Sequence, residues 1–435
     1  MAAPSQLPFR PLEYWKPPKA VLHIRARSTN LPQRSPSVYS FDSEKGKESF
    51  DSVERKHTTY SSATEIMKNQ FVEGTGEFER QDGVGRKWYD VKGWGKKVWI
   101  GVAAAVVILI IVIVVPVVVT NKKNKYPDYS RLSYSVSETY SGENFFDNFD
   151  YFTGYDPSSG FVHYVDSVAA AQYNLTYAST SSAVLRVDTS VNSSSVPNAS
   201  TGRFSVRITS KKQYGTNNLF IFDVKHTPTG CATWPALWLS DPSNWPTNGE
   251  IDIMEAVNVV SDTQNQMTLH TTKGCSMDVK RKDTGTDLQS SCLNSTNGNA
   301  GCGVDAGTST FGNTFNNNGG GVMAMELRTA GIRMWQFARA SIPSDISAGS
   351  PDPSTWPEAT ADFPNTNCDI DTHFRNQSII ANIDLCGSWA GDETIYAQSC
   401  PGTCSDYVAN NNTAFANAYW EFGSFVVYSA NGTVS

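Results

Sequence analysis

Two glutamates and an aspartate fall within six residues in Glu250-Ile-Asp252-Ile-Met-Glu255. In an extended strand, side chains alternate between faces, so Glu250 and Asp252 share one face while Ile251 and Ile253 point into a core. Glu255, five residues after Glu250, would face the core in a regular strand. One extra residue near Met254, a β-bulge, returns it to the side of the other two. Carboxylates grouped this way are costly unless they share protons or meet a substrate. A curved sheet that brings the two glutamate carboxyls to about 5–5.5 Å lets one attack an acetal carbon while the other protonates the leaving oxygen. The same residues also suit an acidic edge strand, whose charges deter aggregation. Their surroundings decide between the two.

The elements that must position this stretch are read from the rest of the chain. Short runs alternate apolar and polar residues, as in Phe204–Ile208, Leu219–Val224 and Ser424–Tyr428, between clusters of Gly, Asn, Ser and Pro. That pattern predicts an all-β sandwich of antiparallel sheets in one large domain after residue 130. A net charge of −7 argues against nucleic acid as a partner. The 11 tryptophans suit a carbohydrate-binding surface and equally an ordinary β-rich core. All eight cysteines, Cys231, Cys275, Cys292, Cys302, Cys368, Cys386, Cys400 and Cys404, lie in the C-terminal half. Up to four disulfides in an oxidising compartment are expected, with their pairing open. Zinc is disfavoured because no CxxC pair with histidine partners occurs. No metal or other cofactor is called for, and no calcium-ligand loop is identifiable.

Residues 1–97 are rich in Ser, Pro, Lys, Arg and Glu with sparse apolar positions, and read as a disordered tail. Residues 98–119 carry no charge; a helix of that length, rising about 1.5 Å per residue, spans a hydrocarbon core of about 30 Å. Trp88, Trp94, Trp99 and Tyr126 sit where an interfacial aromatic belt would. Flanking charge barely distinguishes the two sides. The glycosylation sequons do: Asn174, Asn192, Asn198, Asn294, Asn376, Asn411 and Asn431 all follow the span, as do the cysteines. The expected arrangement is a type II, single-pass membrane protein: cytosolic tail 1–97, signal-anchor helix 98–119, stem 120–138, and a luminal or extracellular domain 139–435.

Around the acidic strand stand Trp234-Pro-Ala-Leu-Trp238, Asn244-Trp245-Pro, Thr268-Leu-His270 and Cys386-Gly-Ser-Trp389-Ala-Gly. In this company and order the chain resembles glycoside hydrolase family 16, in particular the fungal endo-1,3(4)-β-glucanases (laminarinase-like), from about Tyr140 to Tyr428. The resemblance implies a concanavalin-like β-jelly-roll sandwich with an open groove. It implies Glu250 as nucleophile, Glu255 as acid and then base, Asp252 as the charge that tunes them, and His270 beside the nucleophile. Trp234, Trp238, Trp245 and Trp389 are candidates to stack on sugar faces, Trp245 foremost. Asn258 and Glu326 are weaker candidates for polar contacts to substrate. The sequence departs from the family where Leu327 follows Glu326 and where Gly391-Asp-Glu-Thr-Ile395 lacks a second Trp, which puts subsite details in doubt. The implied activity is endo-acting, retaining hydrolysis of β-1,3 or mixed β-1,3/1,4 glucan. The alternatives are a cell-wall transglycosylase that uses the same nucleophile and a non-catalytic glucan-binding protein.

Overall fold

The computed structural model describes residues 94–190, 194 and 202–433. The expected tail lies outside the described residues up to residue 93, as do Asn192, Asn198 and the side chain of Asn431. The apolar run of the sequence forms helix α1, Lys96–Asn124, which extends beyond 98–119 at both ends. Its large apolar side chains are exposed. Among the described residues it is the one helix long and apolar enough to cross a membrane.

The remainder is a β-sandwich of two eight-stranded, antiparallel sheets. One sheet carries the acidic strand. In chain order its strands are β1 (Phe149–Tyr151), β2 (Arg207–Tyr214), β3 (Thr233–Ser240), β4 (Glu250–Glu255), β5 (Gln266–His270), β6 (Thr286–Asp287), β7 (Cys302–Asp305) and β8 (Gln377–Leu385). Across the sheet they run β6-β7-β5-β4-β3-β8-β2-β1. Alternation divides them cleanly. Ile208, Leu237, Leu239, Ile251, Ile253, Met267, Leu269 and Ile383 are buried in a core shared with Phe220, Phe222, Met323, Met325, Phe422 and Phe425 of the second sheet. The intervening residues, Arg207, Trp238, Glu250, Asp252 and Asn382 among them, line a cleft on the opposite face.

The second sheet reads apolar on both faces because both are covered. Leu219, Ile221, Val322, Ala324, Trp335 and Phe337 form a smaller core beneath Tyr134, Ile342, Ile346 and Trp356. A strand at Leu132–Ser141 pairs with the last strand, Tyr419–Thr433. Four disulfides account for all eight cysteines: Cys231–Cys400, Cys275–Cys368, Cys292–Cys302 and Cys386–Cys404.

The expected stem does not hang free of the sandwich. The Tyr126 and Tyr129 hydroxyls donate to the two carboxyl oxygens of Asp362, at 2.9 and 3.2 Å, and Asp362 is fully buried. The Lys282 amine lies over the Tyr126 ring and the Arg333 guanidinium over that of Tyr129. Arg328 donates to the Ser130 carbonyl at 2.9 Å, Thr366 to that of Lys125 at 2.7 Å, and Arg131 pairs with Asp352 at 2.9 Å.

Candidate active site

β4 contains the irregularity that the sequence requires. Its pairing with β5 slips between Asp252 and Glu255, and its pairing with β3 slips between Asp252 and Met254. Ile251, Ile253 and Met254 are all fully buried, while Glu250, Asp252 and Glu255 all line the cleft. The bulge leaves backbone groups short of ladder partners, and the buried Asn265 side chain supplies them. Its amide donates to the Ile253 carbonyl at 2.9 Å and its oxygen accepts from the Glu255 N–H at 3.0 Å. Gly249, at φ +74°, precedes the strand; a Cβ there would meet the His373 carbonyl oxygen at 2.3 Å.

The cleft encloses about 430 Å³. Glu250 opens onto it, whereas Asp252 and Glu255 are buried in its floor. Burial and the Asp252 carboxylate raise both glutamates above the ordinary carboxyl range, Glu255 the further. Three groups oppose the rise at Glu250: the His270 ring, the Arg207 guanidinium and a hydrogen bond from Trp245. His270 Nε2 lies 3.3 Å from Asp252 Oδ2, and its Nδ1 is 3.2 Å from Asn299 Oδ1. The carboxylates outweigh burial and push His270 up to about 9, so its ring carries a positive charge at neutral pH. An ionisable carboxyl and a proton-holding carboxyl thus sit on one strand beside a fixed cation. That arrangement suits displacement at an acetal carbon with proton delivery to the leaving group.

The aromatic candidates separate by role. Trp245 is 41% exposed at the cleft rim. Its loop is held by Asp241, which accepts from the side-chain amides of Asn244 and Asn248 at 2.8 and 2.7 Å. Trp234 lines the cleft but also donates its indole N–H to Glu255 at 2.6 Å. Trp238 lines the cleft and donates to Asn382 at 2.8 Å. Trp389 packs edge-on against Trp234 and is not among the lining residues.

Two polar candidates lie elsewhere. Asn258, buried in a left-handed turn, spends its amide on the Ala232 N–H and the Ala390 carbonyl. Glu326 is buried in the second sheet, where Tyr134, Arg328 and Arg333 donate to it. Neither is among the residues lining the cleft. Sequence reasoning missed Arg207, Asn299, Asn382, Asp156 and Asp384, all of which line it. The glycine-flanked loops near Asp156 and Asn299 were the only local signal. The sequon residues Asn174, Asn376 and Asn411 are exposed and Asn294 is half-buried.

Comparison with known proteins gives a consistent picture. A family model described as "XgeA-like, catalytic GH16 domain" matches residues 149–428. A probable glycosidase of Schizosaccharomyces pombe is 46% identical over 314 residues, covering 71% of this chain and 72% of that protein. A probable endo-1,3(4)-β-glucanase of Aspergillus fumigatus is 38% identical over 306 residues, covering 68% of this chain; the chain spans 45% of that protein's length. Among solved structures, laminarinase 16A from Phanerochaete chrysosporium superposes with a TM-score of 0.64 at 44% identity, covering 68% of this chain and all of that one. An elongating family 16 β-1,3-glucosyltransferase superposes with a TM-score of 0.63 at 37% identity, with the same coverage.

Proposed function

The chain belongs to glycoside hydrolase family 16, and on that premise we propose that it is a retaining, endo-acting β-glucanase that cuts β-1,3 or mixed β-1,3/1,4 glucan. The observation that carries this reading is the bulge in β4, which puts Glu250, Asp252 and Glu255 together on the wall of an aromatic-lined cleft. Glu250 is the nucleophile that forms a glycosyl-enzyme. Glu255, the carboxyl that holds its proton to higher pH and takes the Trp234 hydrogen bond, is the acid for the leaving oxygen and then the base for water. Asp252 raises both, and His270 balances the cluster's negative charge. The test is product analysis of the full-length chain in detergent on laminarin and on mixed-linkage glucan. Short oligosaccharides of retained configuration support the reading; binding without turnover defeats it.

Transfer to a sugar acceptor is the second reading, favoured by the likeness to the elongating glucosyltransferase. The same chemistry serves it, and products longer than the starting oligosaccharide identify it. We further propose the type II arrangement, with 1–97 cytosolic, α1 across the bilayer and residues 139–435 on the luminal or extracellular side. The exposed apolar surface of α1 and the accessible sequons support it. Protease protection of the C-terminal domain in sealed microsomes, with removal of glycans by endoglycosidase, is expected; cleavage without detergent speaks against it.

Two consequences follow for activity. The pH profile of kcat/KM is bell-shaped, because Glu250 must be ionised and Glu255 protonated. Both limbs lie above the ordinary carboxyl value of 4.5, since both groups are raised. Asp252→Asn removes a charge that raises both, so the optimum moves to lower pH; a move to higher pH contradicts the assignment. Trp245→Ala removes the exposed rim platform, and KM rises about tenfold, in line with about 1.5 kcal/mol for a stacked aromatic; it also removes a hydrogen bond to Glu250, so kcat falls as well. An unchanged KM would place the sugar elsewhere.

A further inference from the structure

A second cavity, of about 440 Å³, opens where the segment after α1 meets the sandwich, and the proposed chemistry does not use it. Tyr126, Asp128 and Tyr129 of that segment line it together with Lys282, Trp356 and Glu358 of the sandwich. Its size is that of a small-molecule site. The aromatic groups are already committed. The Tyr126 and Tyr129 hydroxyls are spent on Asp362, and their rings are covered by Lys282 and Arg333. The Trp356 indole donates to Asp345 at 2.8 Å, and Arg333 is paired with Glu326. The open groups are the charged ones. The Lys282 ammonium, 4.5 Å from the Tyr126 ring centroid, makes no ion pair among the described residues. The exposed carboxylates of Asp128 and Glu358 accept no hydrogen bond from those residues. The cavity thus offers one open cation and two open acceptors.

Its place along the chain says what can reach it. The apolar run ends at Val119 and α1 at Asn124. The helix rises about 7.5 Å between them, and the headgroup layer on each side of a bilayer is about 5–8 Å deep. In the proposed topology, Tyr126 therefore stands at the outer edge of the headgroups. The bond from Thr366 to the Lys125 carbonyl brings the sandwich to the same level. A lipid headgroup enters there without leaving its bilayer. Its phosphodiester suits an unpaired ammonium. A choline group does not suit the rest, because both tyrosine rings already carry a cation. Carboxylates only accept, so they call for hydroxyl donors. We propose that this cavity binds the headgroup of a membrane lipid that joins a phosphodiester to a polyol such as inositol, with Lys282 on the phosphate and Asp128 and Glu358 on the hydroxyls. Such a site is separate from glucan cleavage and rests on the type II arrangement.

The test is binding of dioctanoyl phosphatidylinositol and dioctanoyl phosphatidylcholine to the full-length Glu250→Gln chain in uncharged detergent. A β-1,3-linked glucose trisaccharide, which that chain leaves uncut, is measured beside them. The inositol lipid is expected to bind about tenfold more tightly than the choline lipid. Adding Lys282→Ala should weaken the inositol lipid about tenfold, as for one lost hydrogen bond to a charged group, while Lys282→Arg should stay within threefold. Adding Glu358→Ala should bring the two lipids within threefold of each other. Made without the Glu250 change, all three variants should hydrolyse a soluble oligosaccharide within twofold of the parent rate, which shows that they are folded. Equal affinity for the two lipids, or no loss in Lys282→Ala, overturns the site and leaves the topology and the glucanase reading standing. Weaker trisaccharide binding in Lys282→Ala, with the inositol lipid unaffected, overturns it in favour of a second glucan site. Cleavage of the C-terminal domain in sealed microsomes without detergent would overturn the arrangement and the lipid site together.

Discussion

Glu250→Gln is expected to lower kcat by about 10⁴-fold or more, since loss of a nucleophile removes the covalent route altogether. Folding should gain from the same change. Glu250 is desolvated beside Asp252 and its pKa is raised in the folded protein. A raised carboxyl contributes stability that is present below its unfolded value and is lost as pH rises through the folded one. The neutral amide removes that loss, so the melting temperature of Glu250→Gln exceeds that of the parent chain, and the gap widens from acid to neutral pH. Kinetics, melting curves and an added small nucleophile test the assignment together. Azide should revive Glu250→Ala with inversion of configuration, because a small anion fits the space of the missing carboxylate. Glu255→Ala should instead keep much of its rate on an aryl glucoside whose leaving group needs no proton. Exchanged behaviour of the two variants would exchange the roles, and an inactive variant that also melts early would mean the fold was damaged.

The second large effect concerns the segment that joins helix and sandwich. Asp362→Ala removes the one carboxylate that receives both the Tyr126 and Tyr129 hydroxyls, together with the Lys282 N–H at 2.9 Å. Leaving the half-buried donors and the neighbouring Arg333 without the buried carboxylate should cost about 3 kcal/mol, or roughly 5–10 °C in melting temperature for a domain of this size. Chymotrypsin should then cut after Tyr129, where the parent chain resists; Tyr126 precedes Pro127 and offers no site. Hydrolysis of a soluble oligosaccharide should stay within about twofold, because the cleft lies on the other sheet. Resistance to protease in Asp362→Ala would mean that the segment is held by its other contacts.

Much of the candidate site could be read from sequence because it is local. The strand period of two and a single extra residue predict which side Glu250, Asp252 and Glu255 take, and β4 has that bulge. What pins the bulge was not readable. Asn265 is ten residues downstream of Glu255, and nothing in its neighbours says that its amide replaces ladder partners. Arg207 and Asp384 were missed for a related reason. They meet β4 only through a strand order in which β8 inserts between β3 and β2, and no local pattern encodes that order. Residue type does not reveal a side chain's second use. Asn258 looks like a substrate contact but ties two backbone segments together. Trp234 lines the cleft, as a sugar platform would, and its indole N–H is also bound to Glu255, which its neighbours in sequence do not show. The two-sided burial of the second sheet blurred its alternation, so its strands were recognisable but their facing was not.

The docking of residues 125–131 has a consequence for where this enzyme can work. A flexible tether of n residues lets a domain sweep a shell of radius about 5–6 Å × √n. A segment taken up by the sandwich sweeps none. In the proposed topology, the cleft then keeps one height and one tilt above the lipid, and it finds substrate by drifting with its helix in the plane of the bilayer. Strands at that level are met repeatedly, while polymer farther from the lipid surface stays out of reach. Turnover on an immobile network would then follow lateral diffusion and the supply of new chain at the surface, and lengthening the segment with a flexible insert would trade orientation for reach.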